Sequence, residues 1–493
     1  MRETHISWVF LTRDRAYKVK KPRVLPFLDY GTAEQRRVMC RAEVSLNRRL
    51  APDVYLRVRS LVPAGGGGLR LGEEDDADAV DYAVEMRRYS EADTLAARLA
   101  AGAAGSAELA AVGERLAAFH QAAEPDVRPD GAEAVKRALD DNFATLRTLV
   151  PASEERAAVG RAEWSAGAFL TAAWDELNAR SAAGRVRECH GDLRLEHVVL
   201  GREVEIVDCV EFDPGLRRID VTADLAFLVM ELREAGRADL ADVLVRSYRA
   251  AGGDAGSDAL IAFFAAYRAQ VRAKVGLLRG DRQEADRLLA LADRLAWRAR
   301  GPLVIAVGGA AATGKTTLAA GLAAASGLPH VSSDMTRKRM LGVEPTARAP
   351  LAAYSREAGL RTYRELGRLA ASAGSVVVDA TFRRRSERDA FRDGLGAGPP
   401  AVFVECRAPR DVVRRRAAER LADPDRVSDA TPDIALRQHD AFEPFDEVPA
   451  TGHVTVRSDL PVDALVEEVG DALDRRLPRR HAPTETPRSV PVA

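Results

Sequence analysis

The sequence predicts an α+β domain followed by an α/β domain with a parallel sheet. Three observations predict it. Residues 7–21 alternate apolar and polar around Arg13-Asp14-Arg15, as the strands of a hairpin do, and mixed strands and helices follow. From 303 onward apolar strands alternate with helical stretches, the order of a parallel sheet with crossover helices. Between the two patterns, Arg298-Ala-Arg-Gly-Pro302 reads as a linker. Domains are therefore expected at 1–297 and 298–477. The remaining 478–493 is Pro-rich and polar, without core-forming residues, and is expected to be disordered.

The hairpin places Lys18 and Lys20 on one strand face, because side chains alternate, and Pro22 ends it. Residues 33–50 read as a charged helix that contains Glu43, and strands follow at 54–62 and 79–86. Between those strands, Gly65-Gly-Gly-Gly68 and the acidic Glu73-Glu-Asp-Asp76 read as a mobile, solvated loop. From 92 to 180 most segments are amphipathic helices. The pattern changes at 186–212. Short apolar strands at 198–200 and 204–207 flank a turn at Gly201, with Asp192 before the pair and Asp208 after it. Asp220 and Asp224 then precede the apolar run Leu225 to Leu232, and helices continue to about 299. In the second domain strands are expected near 303–308, 330–333, 375–380, 401–406 and 453–457.

The most specific chemistry lies in 303–317. Leu303 to Val307 reads as a buried strand, Gly309-x-x-x-x-Gly314-Lys315-Thr316 as a glycine loop, and Leu318 to Ala325 as a helix. In that context the loop is a phosphate cradle, the Walker A arrangement. Glycines let backbone N–H groups approach an anion, and the helix N-terminus adds partial positive charge. On this reading Gly309, Ala310, Ala311, Ala312, Thr313, Gly314, Lys315, Thr316 and Thr317 bind ATP. Lys315 would reach the β- and γ-phosphates and assist transfer, and the Thr316 hydroxyl would take Mg²⁺. Lysine is scarce, with seven in the chain, and one stands where the motif requires it.

His190-Gly191-Asp192-Leu-Arg-Leu-Glu-His197 before a hairpin, with Asp208 after it, resembles the catalytic centre of the aminoglycoside phosphotransferase branch of the protein-kinase-like fold. The resemblance covers roughly 1–295 and implies a two-lobed domain. It implies that Asp192 is the base for a substrate hydroxyl and Asp208 a Mg²⁺ ligand. The family's second metal ligand, an Asn five residues after the catalytic Asp, is replaced here by His197, and Glu211 is an alternative ligand. The same resemblance makes Lys18 the phosphate-binding lysine, with Lys20 a rival, and Glu43 the helix acid that orients it. Glu85 to Arg88 would form the hinge under adenine, and Asp224 the family's structural Asp.

The second domain resembles the small-molecule and polynucleotide 5′-hydroxyl kinases of the P-loop class over about 300–475. Val331-Ser-Ser-Asp334-Met-Thr-Arg337 closes the second strand. The resemblance makes Asp334 a base for an acceptor hydroxyl and Arg337 a ligand of its anionic group; Asp334 also fits a helix N-cap. Val376-Val-Val-Asp379 resembles a Walker B strand, whose acid holds Mg²⁺. Arg416 and Arg420, on one helix face at i, i+4, correspond to lid arginines that offset charge on the transferring phosphate. The 423–445 stretch would close that lid.

Composition bounds the rest. Net charge is −1, which gives no general pull toward nucleic acid or anionic membrane. The four cysteines are scattered and read as reduced thiols. No apolar run approaches the roughly 18 residues of a membrane helix, and the first residues lack a signal-peptide core. The sequence thus predicts a cytoplasmic phosphotransferase with two nucleotide sites. Each would use ATP and Mg²⁺ to phosphorylate a hydroxyl of a small molecule. Two further readings are a P-loop kinase or ATPase regulated by a non-catalytic kinase-like sensor, and a nucleic-acid 5′-hydroxyl kinase in the second half.

Overall fold

The computed structural model describes residues 1–477 apart from 5, 26–27, 65, 151–152, 345–346, 348 and 422–430; the side chains of 25, 153–155, 351, 420 and 421 are also outside the description. The expected tail at 478–493 and the first part of the expected lid closure lie outside the described residues. Two compact units are present. Among the described residues, Met1–Thr145 and Ala173–Leu288 form the first; Leu146–Ala172 and 289–477 form the second.

The first unit opens with a six-stranded antiparallel sheet. Its order is Arg2–Glu3, Ser7–Leu11, Arg15–Lys20, Asp81–Arg87, Tyr55–Ala64, Gly68–Gly72. The helix Ala33–Asn47 packs on this sheet. Thr32 starts it with a capping box: its hydroxyl accepts the Gln35 N–H, and the Gln35 side chain accepts the Thr32 N–H. Cys40 and Val44 of the helix meet Tyr55, Val58, Val84 and Met86 of the sheet. Burial of that apolar face holds the helix register and so fixes Glu43, which is fully buried one residue before Val44.

The expected loop at 65–76 is partly a strand. Gly68–Gly72 pairs with Ser60–Ala64, because Leu69 and Leu71 continue the hairpin alternation past the glycines. The acids behind it are engaged, with Glu73 accepting from Arg59 at 2.9 Å. Below the sheet, Val198–Leu200 and Val204–Ile206 form the expected hairpin. Val221–Glu234 is buried along nearly its whole length, consistent with its apolar run. It packs with Asp258–Arg279 and Ala238–Ala250.

The second unit is built on a five-stranded parallel sheet. Its order is His330–Ser332, Val376–Asp379, Val304–Gly308, Ala401–Arg407, His453–Arg457. Val304–Gly308 is central and buried on both faces, as its unbroken apolar run requires. The chain leaves this strand toward one side of the sheet and later returns to the other. The carboxyl end of the strand is therefore a topological switch point, where open α/β sheets form their ligand crevice. All five strands fall at the predicted positions within two residues. Among the described residues no helix is long and apolar enough to cross a membrane. The four cysteines are free and buried.

Candidate functional site

Each unit assembles one of the predicted clusters. In the first, the strand Arg15–Lys20 aims both lysines at the helix acid. Lys18 Nζ lies 2.8 Å from Glu43 Oε1 and donates to Asp208 Oδ1 at 2.6 Å. Lys20 Nζ donates to Glu43 Oε2 at 2.6 Å and also to Glu211. Tyr30 completes that inner group, its hydroxyl donating to Glu211 at 2.5 Å. The two lysines are thereby told apart. Lys20 is fully buried and serves the core, whereas Lys18 reaches the half-exposed Asp208. Burial opposes the charged form of each lysine, but the surrounding carboxylates outweigh it and hold both well above the ordinary ammonium value. Glu211, the alternative ligand, is a buried counter-ion of Lys20; burial raises its carboxyl, and Lys20 brings it down below the usual range.

The His-Gly-Asp loop hangs on Asp224. This fully buried carboxylate accepts the His190 N–H at 3.0 Å and the Gly191 N–H at 2.9 Å. His120 Nε2 stands 3.1 Å from it, and His120 Nδ1 2.9 Å from the Tyr248 hydroxyl. Burial pushes the Asp224 carboxyl up, but His120 and His190 hold it well below the ordinary range. Gly191 has φ 87°, and a Cβ there would meet the Leu216 carbonyl at 2.8 Å, so the turn requires glycine. The loop leaves the Asp192 carboxylate partly exposed, 3.8 Å from His197 Nδ1. His197 Nδ1 is also 2.8 Å from the Asp192 carbonyl oxygen, and its Nε2 is 3.8 Å from Asp208 Oδ2. Asp208 sits in the left-handed region at φ 67°, with its N–H donated to the Tyr55 hydroxyl at 3.0 Å. Burial raises its carboxyl, and the Lys18 ammonium overcomes this and holds it low. Lys18, Glu43, Asp192, His197 and Asp208 thus come together as predicted.

In the second unit the glycine loop follows Val304–Gly308, and Lys315–Ser326 is the helix behind it. Gly309 has φ 153°, and a Cβ there would meet Thr313 Oγ1 at 2.5 Å and the Cys406 carbonyl at 2.8 Å. Ala312 takes φ 64°, a conformation that strains a residue with a side chain. Thr313 folds inward, its hydroxyl donating to the Ala310 carbonyl at 2.9 Å. Lys315 is half-buried and Thr316 and Thr317 exposed, at the helix N-terminus. Asp379 ends its strand beside the glycine-loop strand, in register with Val307. It is buried, and its Oδ1 has no hydrogen-bond partner. Arg416 lies over Gly314, with Nη1 3.3 Å from where a Cβ would stand. Its Nη2 donates to the Ser458 carbonyl at 2.9 Å, while Nη1 is buried and without a partner. Beside them a cavity of about 390 Å³ is lined by Gly314, Thr317, Leu318, Arg416, Ser458 and Leu460.

Asp334 lies in the first turn of Ser333–Met340, and Ser332 is the N-cap, so the alternative cap role for Asp334 falls away. Asp334 instead accepts from Arg337 at 2.7 Å, and the Arg337 guanidinium lies 4.8 Å from the centre of the Tyr354 ring. The Arg420 side chain lies outside the described residues.

Sequence reasoning missed several partners. Tyr55, Tyr30 and His120 carry no local signal. Gln438 does not either, yet its side-chain oxygen accepts the Ala311 N–H at 3.1 Å. After the Walker B strand, Phe382 sits at φ 47° with its N–H donated to the Tyr363 hydroxyl, inside a cluster of Phe391 and Phe403.

The residues present fit a phosphate-bearing nucleotide and a divalent cation. The glycine cradle excludes side chains, and Asp379 and Arg416 each keep one buried polar atom, Oδ1 and Nη1, unspent. Residues 40–260 match the phosphotransferase enzyme family and residues 304–445 match an AAA domain. Uncharacterized proteins of Mycobacterium tuberculosis and Mycobacterium bovis are each 34% identical over 455 residues, covering 88% of this chain and 88% of each relative. The chain belongs to their family. It joins a kinase-like phosphotransferase domain to a P-loop domain, and it is a nucleotide-binding phosphotransferase. Among solved structures it is similar to the GDP complex of aminoglycoside 2′-phosphotransferase-IIIa, at 14% identity and TM-score 0.35 over 60% of this chain and 91% of that one. It is similar also to a gluconokinase from Sinorhizobium meliloti, at 22% identity and TM-score 0.27 over 36% of this chain and 94% of that one.

Proposed function

We propose that each unit uses ATP to phosphorylate a hydroxyl of a small molecule. The observation that carries this is the placement of Lys18 between Glu43 and Asp208, with the Asp192 carboxylate across His197. In the first unit Asp192 takes the proton of the acceptor hydroxyl as its oxygen bonds to the γ-phosphorus. The bond from that phosphorus to the β–γ bridging oxygen breaks, and ADP leaves. Lys18, held by Glu43, neutralises the phosphates. Asp208 and His197 would hold a divalent cation there. In the second unit the 309–317 backbone and Lys315 grip the phosphates, and Arg416 and Arg420 offset charge on the transferring group. Asp334, oriented by Arg337, is the base for the acceptor. Thr316 and Asp379 would hold Mg²⁺. The bound cation supplies charge compensation on the phosphate oxygens. The cavity beside Gly314 suits a nucleoside base.

The test is transfer of labelled γ-phosphate to a library of hydroxylated metabolites, using the full chain and its Asp192→Asn and Lys315→Met variants. Two sets of acceptors are expected, one lost in each variant. If Asp192→Asn leaves every transfer intact, the first unit is a nucleotide-binding regulator and not a second kinase. Binding of single-stranded oligonucleotides at low salt would instead point to a nucleic-acid acceptor for the second unit.

A further inference from the structure

We infer that the first site selects a first-row transition-metal dication over Mg²⁺, through a nitrogen–oxygen ligand pair formed by His197 and Asp208. This rests on the nucleotide-binding reading of that site. The argument starts from a proton. A carbonyl oxygen can only accept, so the 2.8 Å contact from His197 Nδ1 to the Asp192 carbonyl places the ring proton on Nδ1. In the neutral imidazole the lone pair then lies on Nε2. That nitrogen points at two carboxylates, each 3.8 Å away: Asp208 Oδ2 and Glu196 Oε1.

The carboxylates differ. Glu196 Oε1 is already held by Arg194. Asp208 gives Oδ1 to Lys18, which leaves Oδ2 turned toward the imidazole. Atoms 3.8 Å apart lie within the span of one ion that bonds each at roughly 2.1 Å. The ring is not free to swing away. Its side chain is 12% exposed, and the neighbouring His190 is itself pinned by a 2.9 Å contact of Nε2 with the Val207 carbonyl.

Mg²⁺ is a hard ion that wants an all-oxygen octahedron and gives up water reluctantly. Imidazole is a ligand of the transition series. Mn²⁺ stands at the weak-binding end of that series, accepts carboxylate and phosphate oxygens as well as imidazole, and is paramagnetic, which makes it the probe of choice. The second unit offers the opposite set, the hydroxyl of Thr316 and the carboxylate of Asp379, with oxygen alone.

The experiment is pulsed electron paramagnetic resonance on the full chain carrying Lys315→Met, with Mn²⁺ and the β,γ-methylene analogue of ATP, whose bridge has no nitrogen. The expected spectrum shows ³¹P coupling from the nucleotide and ¹⁴N coupling from one imidazole. Incorporation of ¹⁵N-histidine should convert the nitrogen pattern without any change of sequence. In a further His197→Asn variant the ¹⁴N coupling should vanish while ³¹P remains. The preference for Mn²⁺ over Mg²⁺ should also fall by at least the roughly 10-fold that even outer-shell partners of a metal carry. Coupling to ³¹P without ¹⁴N in the parent, or ¹⁴N that survives His197→Asn, overturns the inference and leaves the nucleotide reading standing. Absence of both couplings overturns the nucleotide reading of the first unit, and the inference with it.

Discussion

In the first unit Lys18 and Lys20 form ion pairs with Glu43, Asp208 and Glu211, so the charges around the site offset one another, and Glu43 Oε1, which makes no hydrogen bond, still has the Lys18 ammonium at 2.8 Å. In the second unit Asp379 Oδ1, Arg416 Nη1 and Arg337 Nε are buried without hydrogen-bond partners. The difference separates two ways of building a phosphate site. A self-neutralised network is rigid and contributes to folding, and part of it must be exchanged when a ligand enters. Buried polar atoms kept unpaired cost stability, and the ligand returns it. Removing a charge should therefore destabilise the first unit and relax the second.

The strongest break of that contrast is Lys20→Met. It strands the buried Glu211 without a cation and leaves Glu43 to Lys18 alone, and we expect a loss of about 3–5 kcal/mol in denaturant unfolding of the first unit. Lys18→Met should cost far less, because Asp208 keeps access to water, yet it should abolish nucleotide binding at the first site. Equal stability costs for the two variants would erase the distinction drawn between these lysines.

Next comes acid. Asp224 has its folded pKa held below the ordinary carboxylate value. Its contribution is therefore complete above about pH 4 and is lost as pH falls through the folded value. The unfolding midpoint of the first unit should drop as pH is lowered below about 4. Asp224→Asn should start lower, by roughly 2 kcal/mol or more for lost charge-assisted bonds, and show a flatter profile in that window. A wild-type profile that is flat there would remove Asp224 as the anchor of the catalytic loop.

In the second unit, Asp379→Ala should leave stability unchanged or raise it by about 1 kcal/mol, since it removes a buried oxygen with no partner. It should weaken magnesium–nucleotide binding at that site. A marked destabilisation would mean that Asp379 is structural. The smallest effect is expected for Ala312→Gly. Relief of the left-handed strain, about 1–2 kcal/mol, is largely offset by the 0.5–1 kcal/mol entropic cost of glycine. Thermal unfolding of the second unit should shift upward only slightly.

How much of this could be read beforehand follows from how local each feature is. The stretch 309–317 was legible because strand, glycines and lysine are contiguous, and all five parallel strands were legible from their apolar runs. Lys18 and Lys20 were not separable. They share a strand face, and the choice between them is made by Glu211, 191 positions from Lys20. The pairing of Glu211 with Lys20 was hidden for the same reason. Gln438 on Ala311 and Tyr55 on Asp208 are likewise contacts between distant positions, with no periodic signal. The strand Gly68–Gly72 was hidden by the glycine run before it. Backbone strain was invisible altogether. Yet among the described residues the non-glycine positive-φ positions are Asp208, Ala312 and Phe382, each in or beside one of the two clusters. Such strain persists where the surrounding structure over-determines it, as at ligand clamps.

The central claim is that the chain holds two independent nucleotide sites. Isothermal titration of the full chain with manganese–ATP, a metal that the ligand sets of both units accept, tests it most directly, on the wild type, Lys18→Met, Lys315→Met and the double variant. The account predicts two equivalents bound by the wild type, one by each single variant and none by the double. A single equivalent in the wild type, or binding that survives Lys315→Met undiminished, would contradict it.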